Sequence, residues 1–113
     1  NDLLTLGDLA FMHELIDEFL SSAVSTLDAI ADAVAREDVM AFQEILHALR
    51  SSSANIGAKR VFALALEWRT TTPKDLAKLG EARVQTLRIV FAEAEAALRA
   101  WLGERDRTAK RAV

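Results

Sequence analysis

Apolar residues recur at steps of three and four along almost the whole chain, and very little interrupts them. From Met12 through Leu15, Ile16, Phe19, Ala23, Leu27, Ile30 and Val34 the spacing is that of one helix face. It resumes at Phe42, Ile45, Leu46, Leu49, Ser53 and Ile56, again at Val61, Leu64, Ala65 and Trp68, and finally at Leu76, Leu79, Leu87, Val90, Phe91, Ala94, Leu98 and Trp101. The 113 residues include 21 Ala and 16 Leu but only 4 Gly and 1 Pro, so the strongest helix formers are abundant and the residues that break element interiors are scarce. A chain of this length holds one core and is too small for a large catalytic architecture. With no cysteine it has no disulfide framework, thiol nucleophile or Cys-type zinc site.

The punctuation divides the pattern into four helices. The first opens after Gly7 with Asp8 as N-cap and ends near Arg36. Glu37-Asp38 is a tight connection, with Asp38 capping a second helix from Val39 to Ile56 that Gly57 terminates in a left-handed conformation. A third runs from Ala58 to about Arg69, followed by a loop, Thr70-Thr71-Thr72-Pro73, in which Thr72 caps and Pro73 opens the fourth helix. That helix is expected to stop at Gly103, leaving 104–113 as a flexible basic tail; Leu3, Leu4 and Leu6 are placed to close one end. Short connections make neighbours antiparallel, so the fold class is all-α, an antiparallel up-down four-helix bundle over 1–103 with a short N-terminal extension.

Charge is unevenly distributed. Residues 1–40 carry nine acids and one base, Arg36; residues 41–113 carry eight acids and thirteen bases, for a net charge of −3. Two solvated faces of opposite sign account for this, and no basic stripe is dense enough for nucleic acid. No apolar run approaches the roughly 20 residues of a membrane span, and residues 1–20 have no signal-peptide layout, so a cytoplasmic setting without membrane contact is expected. A first residue Asn1 fits an excised module or a processed chain.

Chemistry must come from few residues. At about 100° per residue, the second-helix stripe lies within about 60° of Phe42, whereas His47 lies about 140° away and faces water. Its neighbours on that face are Gln43, Glu44, Arg50, Ser51 and Ala54. Ser51 and Ala54 are small and leave room for a large partner. Arg50, one turn on, can hold an anion, and a neutral imidazole is a competent nucleophile near pH 7. His13 lies on the flank of the first helix beside Glu14 and Asp17 and reads as a surface residue. Glu44-Ile45-Leu46-His47 is half of a di-iron bundle motif, but no second Glu-x-x-His exists at His13, where Ala10 stands three residues before, and both side chains point outward; no metal site is expected.

The run His47-Ala48-Leu49-Arg50-Ser51-Ser52-Ser53-Ala54-Asn55-Ile56-Gly57-Ala58 resembles the signature of histidine-containing phosphotransfer domains, and the helical layout is similar to theirs over about residues 8–102. The resemblance implies that His47 accepts phosphate, that Arg50 replaces a lysine beside the phosphoryl group, and that Ser51 stands where the family has a glycine. Ser52 matches the family serine, and Gly57-Ala58 matches its structural turn. It further implies a phosphoryl carrier, not an enzyme in its own right, working between receiver (response-regulator) domains. The carrier binds no ATP or other cofactor, Mg²⁺ sits on the receiver partner, the isolated domain is monomeric, and the parent chain is a hybrid sensor kinase. Ser51 in the glycine position also admits a second reading, a helical interaction domain that binds or inhibits a partner without transfer.

Overall fold

The computed structural model describes residues 6–111. Four helices follow one another: α1 (Leu6–Ala35), α2 (Val39–Ile56), α3 (Lys59–Glu67) and α4 (Pro73–Arg111), with a single 3₁₀ turn, Trp68–Thr70, after α3. Each helix packs on its neighbours in sequence, and α4 returns to α1, closing a four-helix bundle. Leu3 and Leu4 lie outside the described residues. No described helix is long and apolar enough to cross a membrane.

The connections are built from local hydrogen bonds. At the end of α1 the Asp38 N–H donates to the Ala33 carbonyl (2.9 Å) and the Glu37 N–H to that of Val34 (3.0 Å), the paired bonds of a Schellman motif. That motif requires a left-handed residue, and Glu37 supplies it at φ 52°. The same motif ends α2: Ala58 N–H bonds the Ser53 carbonyl (2.9 Å), Gly57 N–H that of Ala54 (3.3 Å), and the left-handed residue is a glycine at φ 78°. Asp38 caps α2 as expected, accepting from the Ala41 N–H at 3.0 Å. Thr72 caps α4 through a reciprocal box: Asp75 N–H donates to Thr72 Oγ1 (3.1 Å), and Thr72 N–H donates to the Asp75 carboxylate (3.2 Å). Those bonds to the charged form, the backbone one foremost, hold the Asp75 carboxyl below its ordinary value.

The core runs through all four elements. Ile30, Phe42, Leu46, Val61, Leu76, Leu87 and Val90 are fully buried side chains within it, with Phe19 and Phe91 packed at a tilt, ring centroids 5.9 Å apart. Ser53 is buried with them because its hydroxyl donates to the Leu49 carbonyl one turn back, at 2.6 Å.

Four expectations about the helices require correction. Asp8 is not the cap of α1, because the helix begins at Leu6; Asp8 lies in its first turn, where a carboxylate favours the positive end of the helix dipole. Gly103 does not stop α4, and residues 104–111 are not a flexible tail. The helix continues to Arg111 because α1 extends alongside it: Leu9 and Leu102 are buried, His13 Nε2 bonds both Asp106 carboxylate oxygens at 2.9 and 3.1 Å, and the Arg105 guanidinium sits 4.8 Å over Trp101. Leu102, not Trp101, is the residue turned inward there. Along α4, Leu79 is 39% exposed, and its place against α1 is taken by Gly80, with Val84 next in the buried row. A Cβ at Gly80 would lie 2.7 Å from Val34 Cγ1, so the missing side chain is what lets α1 and α4 approach.

Candidate functional site

His47 stands on the exposed side of α2, and the opposite side of the same helix is anchored by Phe42, Leu46 and Leu49. This arrangement fixes the backbone under the imidazole while the ring itself meets solvent. Arg50, one turn on, donates from its guanidinium to His47 Nδ1 at 2.5 Å. Among the described residues no hydrogen bond reaches Nε2, which remains free for a partner.

Beside the ring is an open groove of about 510 Å³ between α2 and the α3 region, lined by Met40, Gln43, Glu44, Leu46, Arg50, Ala65, Arg69 and His47 itself. Its floor, Leu46 and Ala65, is core; Met40, 69% exposed, forms an apolar lip. Arg50 and Arg69 give the groove two cations against one acid, Glu44, an environment favourable to an anion.

The residues singled out from sequence fall into distinct places. Glu44 lines the groove from the exposed side of α2. Gln43 also lines it, but its amide donates to the Thr71 carbonyl at 2.8 Å, so it ties α2 to the loop before α4. Ser51 and Ala54 are exposed on the other side of His47, outside the groove, where their small side chains leave the imidazole uncovered. Gly57 and Ala58 form the turn into α3, the first by its positive φ and the second by burial. His13 is not simply a surface residue: it is half-buried and bridges α1 to α4 through Asp106. Among the described residues no three His, Asp or Glu side chains converge as a metal site.

Sequence reasoning missed Met40, Ala65, Arg69 and Thr71. Met40 carried a signal, since it stands seven residues before His47 and so two turns below it on one helix face. Arg69 and Ala65 carried none, because α3 brings them in from a separate element. Thr71 is buried although it lies in a loop: its hydroxyl donates to the Trp68 carbonyl (2.5 Å) and accepts from Arg83 (2.8 Å), whose guanidinium lies 5.2 Å over the Trp68 ring. This polar knot holds the α3–α4 loop against α2 directly below the groove.

A small helical bundle that offers one imidazole to solvent, next to a cationic groove, has the form of a histidine carrier module. The chain belongs to the Hpt domain family, whose sequence model matches residues 14–104. Hpt domains serve phosphotransfer in two-component signalling, where they meet the receiver domains of response regulators and act as carriers rather than as enzymes in their own right. No curated protein and no solved structure matches the chain.

Proposed function

We propose that His47 is the phosphoacceptor, taking a phosphoryl group from the aspartate of one receiver domain and passing it to another. The observation that carries this is the combination at His47: a solvent-facing imidazole on a packed helix, with a guanidinium 2.5 Å from one ring nitrogen and the other nitrogen free. Phosphoryl transfer between two such partners demands alignment and charge compensation more than acid–base machinery. The ring nitrogen lone pair forms the N–P bond, the bond from phosphorus to the aspartyl oxygen breaks, and its electron pair remains on the receiver carboxylate. Arg50 offsets the charge of the phosphoryl oxygens, and the receiver contributes Mg²⁺. Glu44 and Met40 on the groove side, with Ser51 and Ala54 on the other, are the contact surface for the receiver, and Gln43 supports it from beneath. The parent chain in this reading is a hybrid sensor kinase with the carrier as a module.

Incubation with a phosphorylated receiver tests the assignment. The wild-type domain should acquire acid-labile phosphate, and His47→Gln should acquire none while changing stability by less than about 0.5 kcal/mol, as is usual for an exposed position. Phosphate retained on the glutamine variant would show that His47 is not the acceptor.

A further inference from the structure

The contact between Arg50 and His47 has a chemical consequence for the reaction proposed above, and the inference rests on that reading. A guanidinium has only N–H groups to offer and cannot accept a hydrogen bond. Its bond to His47 Nδ1 at 2.5 Å therefore engages the Nδ1 lone pair. A neutral imidazole has one protonated and one bare nitrogen, so the ring proton must reside on Nε2. Nε2 is also the nitrogen without a partner among the described residues, the one open to an incoming phosphoryl group. In this resting arrangement the accessible nitrogen has no lone pair to attack with, and the nitrogen that has one is covered.

We propose that Arg50 is a tautomer-setting positioning residue, which holds His47 in the unreactive Nε2–H form until a phosphoryl anion draws the guanidinium off the ring. A phosphoryl group is the stronger partner, since both members of that pair are charged. The side chain of Arg50 makes no other hydrogen bond among the described residues, so nothing else retains it. Once Nδ1 is released, Nε2 gives its proton to water and water returns one to Nδ1. The freed Nε2 pair then forms the N–P bond as the aspartyl P–O bond breaks, and the ring proton stays on Nδ1. One residue thereby does two things in order: it keeps the imidazole silent at rest, then follows the charge to the phosphoryl oxygens. A lysine there would supply the charge but not the planar fork that spans from ring to anion.

The test reads the proton directly. Long-range ¹H–¹⁵N spectra of the ring-labelled domain at a pH where His47 is neutral should show one Nε2–H tautomer in the wild type and a mixture in Arg50→Ala. After phosphorylation by a loaded receiver, ³¹P–¹⁵N coupling should place phosphorus on Nε2, with Nδ1 protonated. A wild-type tautomer mixture equal to that of Arg50→Ala would overturn the proposal, and so would phosphorus on Nδ1, even though His47 would then remain the acceptor. The converse failure is separable: a single Nε2–H tautomer that Arg50→Ala abolishes, in a domain that takes no phosphate from receivers, would remove the carrier function and with it the proposed release step.

Discussion

The contact between Gly80 and Val34 makes a quantitative prediction whose sign depends on one neighbour. Gly80 lies inside α4, where replacing glycine by alanine ordinarily stabilises a helix by about 1 kcal/mol. Here the added Cβ would stand 2.7 Å from Val34 Cγ1 and 3.2 Å from Cγ2, against a comfortable carbon–carbon separation of about 3.5–4.0 Å. Val34 is β-branched and has little freedom at χ1, so it cannot turn both methyls away. The helices must instead part by up to about 1 Å along the α1–α4 seam. Overpacking of this kind costs about 1–3 kcal/mol, which outweighs the propensity gain. Gly80→Ala should therefore destabilise the domain by about 1–2 kcal/mol net, lowering the melting temperature by about 4 °C for each kcal/mol in a domain of this size. In a Val34→Ala background the nearest remaining atom is the residue 34 Cβ at 3.5 Å, an ordinary contact. There the same change should stabilise by about 1 kcal/mol. Urea unfolding of the four proteins, followed by far-ultraviolet circular dichroism, gives the full double-mutant cycle, with an expected coupling of about 2–3 kcal/mol. Equal stabilisation by Gly80→Ala in both backgrounds would refute the close-approach account.

Other consequences are simpler. Glu37 sits in the left-handed region that Gly57 occupies in the equivalent turn, so Glu37→Gly should stabilise by roughly 0.5–1 kcal/mol, the relief of side-chain crowding less the extra freedom of the unfolded glycine, measured as a shift in the urea midpoint. Leu49 is 4% exposed directly beneath the His47 face, so Leu49→Ala should cost about 2–5 kcal/mol in the same assay. The Asp75 carboxyl is held below its ordinary value by the bonds to Thr72. Its contribution is complete above the ordinary carboxylate value and is lost as pH falls through the lower folded value. Asp75→Asn should thus be less stable than wild type at neutral pH, with the gap closing in acid; a gap that persists undiminished at low pH would contradict the linkage.

Most of this architecture could be read from spacing because each helix buries a stripe of large apolar side chains. Phe42, Leu46, Leu49 and Ser53 were recoverable on α2, as were Asp38 and Thr72 as caps and Gly57 as a stop, since those signals are local. Gly80 was not, because a contact made by the absence of a side chain leaves no trace in a hydrophobic pattern; Leu79 took its place in the reading. The end of α4 was misread for a related reason. Gly103 reads as a stop and the polar residues after it carry no apolar stripe, so the extension is visible only once α1 lies alongside, with His13 on Asp106. At the site, His47 and Arg50 came from one helix face and were legible. The groove beside them depends on α3 and on the buried Thr71 knot, which only tertiary packing creates.

The extension of α4 also bears on how the domain can be handled and tethered. The molecule is a rod, 57 Å long and about a third as wide, and α4 alone spans nearly all of it. Residue 6 and residue 111 leave from the same end, where His13 meets Asp106. His47 lies two turns from the start of α2, about midway along the rod and roughly 20 Å along the axis from His13 at 1.5 Å per residue. A dye, a surface linker or a fused receiver attached at either of those residues is thus held clear of the imidazole. The helix pair acts as a handle, and the separation between handle and histidine sets the shortest tether by which an attached receiver can reach back to its own carrier.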